Sequence, residues 1–217
     1  MEIPILFRDE RFVVLDKPAG LPVHPGPRGG ASVEDCFGLL SRRRDGPWLA
    51  HRLDADTAGC LVVALRRTAL HAAQQAFAAG RADKLYWAVV RGAPPGEAGI
   101  VDTPLRRHSD RRGWRMLAGP GGQLACSEWR LLGHGDGISW LEVRPRTGRT
   151  HQVRVHCATL GCPVLGDAVY GEGKQDGCPL HLLARAIALP LDPPLTAEAP
   201  VPAHMLAALA ACGYRNC

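Results

Sequence analysis

Two carboxylates, an arginine, a histidine and a threonine fall within nine residues at His51-Arg52-Leu53-Asp54-Ala55-Asp56-Thr57-Ala58-Gly59. Such a polar turn, set just before an apolar run, is where a sheet protein can present an ionised carboxylate to a substrate. Taken alone, Asp54 and Asp56 fit equally well a turn in which each caps backbone N–H groups. A second stretch, Lys84-Leu85-Tyr86-Trp87-Ala88-Val89-Val90-Arg91-Gly92, reads as a strand. Its alternation puts Lys84, Tyr86, Ala88 and Val90 on one face, so that Tyr86 either offers its ring to a site or packs in the core. The third is Arg146-Thr147-Gly148-Arg149-Thr150-His151-Gln152-Val153-Arg154-Val155-His156. On a helix starting near Thr150, Val153, Cys157 and Leu160 mark the packed side. Arg154 then falls at the edge of that side, and there it wants a buried carboxylate or snorkels to solvent.

The elements that must position these groups are legible in outline. Ile3 to Phe7 and Phe12 to Leu15 read as a hairpin, followed by a rigid Pro/Gly loop from Lys17 to Gly26. A helix is expected from Ser32, with Asp35 as capping-box partner, running through Leu40 into the cationic end Ser41-Arg42-Arg43-Arg44. That arginine run is either a solvated helix terminus or an RNA contact. Cys60 to Leu65 is continuously apolar, as a strand buried on both faces would be. Thr68 to Ala79 reads as a helix packed through Leu70, Ala73 and Phe77, with Gly80 as its stop. The Arg- and Gly-rich stretch Arg106 to Gly122 reads as an exposed hairpin, and Ala125 to Leu131 with Ile138 to Val143 as paired strands. A proline-rich tail, Leu189 to Pro202, is expected to cross the surface into a last helix, His204 to Ala211. The balance of strands and helices predicts an α+β fold with a mixed or antiparallel sheet.

Composition narrows the function classes. The 217 residues are 46% hydrophobic and 22% charged, as in an ordinary globular enzyme. The net charge is +5, and only Lys17, Lys84 and Lys174 among the 26 basic residues are lysines. Arginine forks match phosphates and stack on bases, which suits nucleic acid, although GC-rich coding also favours arginine. No apolar run approaches a membrane span, and Met1-Glu2-Ile3-Pro4 does not open a basic segment followed by an apolar stretch as a signal peptide would, so a cytoplasmic location is expected. The eight cysteines form no Cys-x-x-Cys pair and read as free thiols.

Together and in order, these segments resemble the RluA-type pseudouridine synthases over nearly the whole chain. Lys17-Pro18-Ala19-Gly20-Leu21 is similar to K-P-[SA]-G-L, and His51-Arg52-Leu53-Asp54 with Thr57-Ala58-Gly59 to H-R-L-D-x-x-T-S-G. Lys84-Leu85-Tyr86 is similar to K-x-Y, and Thr147 to His156 to T-G-R-x-H-Q-[IL]-R-x-H. Pro163-Val164-Leu165-Gly166-Asp167 is similar to P-[IL]-x-G-D. The resemblance implies a single catalytic domain over residues 1–217, with 189–217 packed on it. Its fold would be a mixed, largely antiparallel sheet with flanking helices and a central RNA-binding cleft. The motifs start so near Met1 that the small N-terminal RNA-binding domain of many relatives is expected to be missing. Asp54 matches the catalytic aspartate, Tyr86 the active-site tyrosine, and Arg154 the arginine that pairs with that aspartate. Arg52 matches the residue that fills the gap left by the target base. His51, Arg149 and His151 match substrate-side positions. The implied substrate is a stem-loop of ribosomal or transfer RNA, and a monomer is expected.

The implied reaction breaks the bond from ring nitrogen to ribose, turns the uracil and rejoins it through a ring carbon. Asp54 would act as nucleophile on the sugar or by assisting glycal formation. No cofactor or metal is called for, and the chain carries no P-loop and no metal-ligand spacing. Two departures from the pattern stand out: Ala58 where serine is commoner, and Leu183 where relatives carry a histidine, with His181 nearby. Two other readings compete. One is a non-catalytic RNA-binding protein or RNA chaperone on the same scaffold. The other is a metal hydrolase using His51, Asp54, His151 and His156, but His151 and His156 lie on different helix faces.

Overall fold

Phe12 to Leu15 and Leu61 to Ala64 are wholly buried, as expected of strands covered on both faces. They form the centre of the first of two compact units in the computed structural model. The structure describes residues 2–26, 29–43, 45–111, 113–171 and 177–215. The units are Met1–Lys84 with Leu183–Val201, and Leu85–Leu182 with Pro202–Cys217.

In the first unit β1 (Ile5–Arg8) and β2 (Phe12–Lys17) form the expected hairpin. Next in chain order are β3 (Trp48–Leu49) and β4 (Ala58–Ala64), and both β2 and β3 pair antiparallel with β4. The long strand β11 (Leu182–Leu189) joins β4 in parallel, placing Leu183 opposite Ala58 and Ala184 opposite Gly59. The strand β12 (Leu195–Glu198) then pairs antiparallel with β11. The sheet is therefore mixed, with one parallel contact among antiparallel ones, and the α+β class expected from the sequence holds.

Three expectations are corrected here. The helix begun at Ser32 is only a 3-10 turn, Val33–Cys36, continued by α1 (Phe37–Leu40). The Ser32 N–H does donate to the Asp35 carboxylate at 2.9 Å, as a capping box requires. The Arg8 guanidinium, however, takes the Leu40 carbonyl at 2.8 Å and Ser41 turns extended, so Arg42 and Arg43 lie beyond the helix. Arg44 lies outside the described residues. The helix α2 (Arg67–Ala78) buries Ala69, Ala73 and Ala76 against the sheet, while Leu70 and Phe77 stay half-buried. Small side chains let the helix axis approach the strands closely, and the larger ones flank the contact. Finally, the tail is no surface strap: Leu195 and Ala199 are fully buried beside β11. Pro193, Pro194 and Pro200 sit just outside β12, where no ladder N–H is required.

The second unit is an antiparallel sheet in the order β5 (Asp83–Arg91), β10 (Ile138–Pro145), β9 (Cys126–Gly135), β6 (Ala98–Asp102). The expected strand pair on either side of Asp136 is β9 and β10, whereas β6 and β11 had no counterpart in the sequence reading. Helix α3 (Gln152–Thr159) covers this sheet through Val153 and Cys157, which join Ala88, Val90, Leu141, Val143 and Val164 in one core. The expected exposed hairpin is β7 (Leu105–Asp110) with β8 (Gly113–Ala118). It leans on α3 through Leu105, Met116, Val155 and Tyr170. The last helix, α4 (Ala203–Ala211), stands where expected. Among the described residues no helix is long and apolar enough to cross a membrane.

Candidate active site

The turn that carries Asp54 is pinned from below. Leu53 is buried, Arg52 and Asp56 are exposed, and Asp54 is half-buried between them. The Thr57 N–H donates to the Asp54 carbonyl at 3.2 Å, closing the turn just before β4. Beneath it lies Lys17, wholly buried. Its ammonium donates to the carbonyls of Pro18 and Leu21 at 2.8 Å and of Ala55 at 2.7 Å. One side chain thus ties the Pro/Gly loop to the Asp54 turn. Burial lowers the Lys17 pKa to about 8, against the opposing pull of Asp56 and Asp54. The glycine of Thr57-Ala58-Gly59 also has a local cause. Gly59 has φ +105°, and a Cβ there would run into the Ala184 carbonyl of β11.

His51, which precedes the turn, is anchored to β4 and α2. Its Nε2 accepts the Val62 N–H at 3.0 Å and its ring rests on Phe77 with centroids 5.0 Å apart. Burial, then the nearby Lys84 charge, brings its pKa down from 6.5 to about 4. Unfolded, the ring takes a proton near pH 6.5; folded, it resists until about pH 4. His51 therefore contributes stability in full above pH 6.5, and the contribution is lost as pH falls toward 4. Urea unfolding is expected to show about 2 kcal/mol of this loss between pH 7.5 and pH 5. Burial lowers His156 and His181 too, so the measured fall will be larger. His51→Leu should flatten the His51 share; an unaltered slope in that variant would contradict this assignment.

The third segment is built around Gln152. This buried amide accepts the Thr147 hydroxyl at 2.6 Å and the Arg149 N–H at 3.0 Å. It donates to the Cys126 carbonyl and the Ser127 hydroxyl, each at 2.9 Å. The loop before α3 is thereby fastened to β9. His156 is committed as well, with one ring nitrogen on Ser127 Oγ and the other on the Thr103 carbonyl. Arg149 is exposed and donates through Nε to the Leu124 carbonyl at 3.0 Å. His151 opens α3 from the left-handed region, φ 54°. Its ring stacks on Trp114 of β8 at 5.1 Å and shares a 2.8 Å hydrogen bond with the Tyr170 hydroxyl.

Arg154 is deeply buried, not at the edge of the packed face. Its Nε and Nη2 meet the two oxygens of Asp167 at 2.7 and 2.8 Å, with the side chains 6% and 0% exposed. Asp167 also accepts the N–H groups of Val169 and Tyr170, and Arg154 lies over the Tyr170 ring at 5.2 Å. Burial alone would raise the Asp167 pKa, but Arg154 and the two N–H groups outweigh it and hold the carboxyl below its ordinary value. Gly166 keeps this chain path open, since a Cβ there would strike the Pro179 carbonyl. Tyr86 sits on β5 opposite Val143, half-buried against the Ala88 and Val90 core, on the face its alternation predicted.

The structure thus gathers His51, Arg52 and Asp54 over Lys17 in the first unit. In the second it gathers Arg149, His151 and Arg154 around Gln152, Asp167 and Tyr170. His181, considered as a stand-in for the histidine that Leu183 replaces, is buried with Nδ1 on the Pro179 carbonyl. Lys17, Gln152, Asp167 and Tyr170 had no assigned part in the sequence reading. Lys17, Gln152 and Asp167 nonetheless lie inside quoted motifs, which is the available signal. Among the described residues no three His, Cys, Asp or Glu side chains group as metal ligands would.

The family model described as RNA pseudouridylate synthase matches residues 11–159, enclosing the Asp54 turn, Tyr86 and Arg154. The chain belongs to the RNA pseudouridine synthase family. Members of this family are isomerases acting on RNA. An uncharacterized RNA pseudouridine synthase of Zymomonas mobilis is 41% identical over 208 residues, covering 91% of this chain and 93% of that protein. The ribosomal large subunit pseudouridine synthase D of the same organism is 38% identical over 182 residues, covering 80% of this chain and 57% of that protein. This chain therefore spans little more than half of that relative. The solved structure of human RNA pseudouridylate synthase domain containing 4 superposes with a TM-score of 0.82 at 27% identity, covering 98% of this chain and 94% of that one.

Proposed function

We propose that this protein isomerises particular uridines to pseudouridine in stem-loops of ribosomal RNA, transfer RNA or both, working as a monomer in the cytoplasm with its two units as one catalytic domain. The observation that carries this reading is the Asp54 turn, a half-buried carboxylate held over the buried Lys17 ammonium within the matched region. A ribosomal substrate is favoured by the large-subunit enzyme among the relatives. A reducing compartment is favoured by the described cysteines, all of them free thiols.

The chemistry follows from the groups. Extruding the target uridine costs a few kcal/mol, less from an open loop. Arg52, exposed beside Asp54, takes the space the base leaves. Asp54 attacks the ribose or assists glycal formation as the glycosidic bond breaks. The uracil turns, a carbon–carbon bond forms to the sugar, and the ring proton at that carbon leaves. Tyr86 stacks on the base and assists that last proton transfer. Arg154, fixed by Asp167 through Nε and Nη2, supplies positive charge to the site. The hairpin β7–β8 supplies affinity: Arg106, Arg107 and Arg111 are exposed, and Arg107 lies over the 46% exposed Trp114 at 5.1 Å. Arg112, grouped with them on sequence grounds, lies outside the described residues.

Purified protein incubated with ribosomal and transfer RNA transcripts is expected to convert uridine to pseudouridine, read by mass spectrometry of the digested nucleosides. No conversion in either RNA pool, by protein shown to be folded, would overturn the reading.

A further inference from the structure

The far end of β4 from Asp54 carries a cavity of about 540 Å³ that the reaction does not use. Arg8, Arg42, Arg43 and Arg66 line it, with Glu10 as the one carboxylate of its lining among the described residues and Leu39, 70% exposed, on its wall. Three of the arginines have partial partners. Arg8 caps the Leu40 carbonyl, Arg43 stands 3.6 Å from Asp45, and Arg66 stands 3.0 Å from Glu10. Arg42 has no ion-pair partner among the described residues. Four guanidinium groups against Glu10 in the lining and Asp45 beside Arg43 leave a surplus of positive charge in a concave, half-sheltered place. That arrangement suits phosphodiester oxygens.

The sheet register fixes where this cavity lies. Lys17 pairs with Gly59, at the Asp54 end of β4, and Phe12 pairs with Ala64, at the other. Arg8 and Glu10 precede Phe12, and Arg66 follows β4, so the cavity sits at the second end. Seven residues of strand put about 20 Å between the two ends. A stem held with its loop at Asp54 would extend its backbone over that distance.

We propose that this arginine cavity is a second RNA site, which grips backbone phosphates of the substrate stem about 20 Å from the reacting uridine. The proposal rests on the RNA substrate proposed above. It assigns the cavity to affinity for the flank of the substrate and leaves the reacting base to the Asp54 turn.

The test uses the full chain and compares two ribosomal RNA probes. One is a stem-loop whose stem is shorter than β4, and the other is the same stem-loop with its stem extended well beyond that length. Binding is followed by fluorescence anisotropy across a salt series, so the readout does not depend on turnover. Arg42→Gln/Arg43→Gln replaces two exposed side chains outside any helix, and an unchanged melting temperature verifies its fold. The double variant is expected to bind the long probe about tenfold more weakly, with its log–log salt slope reduced by about 1.5 to 2. Its affinity for the short probe should match that of the unaltered protein. Equal affinities of the two proteins for the long probe would overturn the proposal. So would an equal loss on both probes, which would make the arginines a general electrostatic attraction. Failure of the unaltered protein to modify RNA, with the long-probe difference intact, would count against the catalytic reading alone.

Discussion

Asp54→Asn is expected to reduce pseudouridine formation at least about a thousandfold, or about 4 kcal/mol of barrier, while the folded state survives. The substitution keeps the size of the side chain and removes its charge. Both proposed roles of Asp54, attack on the sugar and assistance to glycal formation, need the carboxylate, so neither tolerates an amide. The main-chain contacts that hold the turn are untouched, because Lys17 grips main-chain carbonyls, Leu53 stays buried and the Thr57 N–H meets the Asp54 carbonyl. RNA binding should stay within a few-fold of the unaltered protein, since the exposed arginines remain. Single-turnover kinetics with excess enzyme, together with anisotropy on the same RNA, separates the two properties. Residual turnover above a tenth of the original would remove Asp54 from the catalytic role.

Asp167→Ala is expected to cost about 3 to 5 kcal/mol of stability, because it leaves the buried Arg154 guanidinium without its bidentate partner. In a chain of this size that lowers the melting temperature by about 10 °C. Arg154→Ala should cost a similar amount, by stranding a carboxylate that is 0% exposed, and should abolish turnover as well. The same pair fixes an acid dependence. The folded Asp167 carboxyl titrates below its unfolded value, so the stabilisation is complete above that unfolded value and is lost as pH falls through the folded one. Replacing both partners by apolar side chains of similar volume should recover most of the stability and none of the activity. A melting temperature within about 2 °C of the original in Asp167→Ala would show that the pair contributes little.

What was legible in the sequence is what local pattern encodes. Unbroken apolar runs gave β2 and β4, alternation gave the face of Tyr86, and the Arg- and Gly-rich stretch gave the β7–β8 hairpin. The Asp54 turn was visible as polarity before a buried strand, yet its chemistry became readable only through resemblance to a family, because one turn aspartate looks like another. The remainder depends on partners distant along the chain. Nothing around Lys17 announces a buried ammonium, because the Ala55 carbonyl that it meets comes from another loop. Arg154 was assigned to the rim of its helix because Asp167, thirteen residues on, reaches it only after the chain turns back. The strand β12 was hidden by prolines that lie just outside it. The long helix expected at Ser32 was cut short by the Arg8 side chain, which no helix propensity could reveal.

The parallel pairing of β11 with β4 carries a consequence for synthesis on the ribosome. The first unit is interrupted by the whole of Leu85–Leu182 and is completed only by Leu183–Val201. At ordinary elongation rates roughly 100 residues take about 5 to 20 s to be made. Throughout that interval β4, with Gly59 and the Asp54 turn at its head, has β2 and β3 beside it but lacks the strand against which Gly59 is shaped. The second unit, continuous up to Leu182, can acquire its antiparallel sheet first. Order of emergence thus places maturation of the Asp54 turn near the end of the nascent chain's folding.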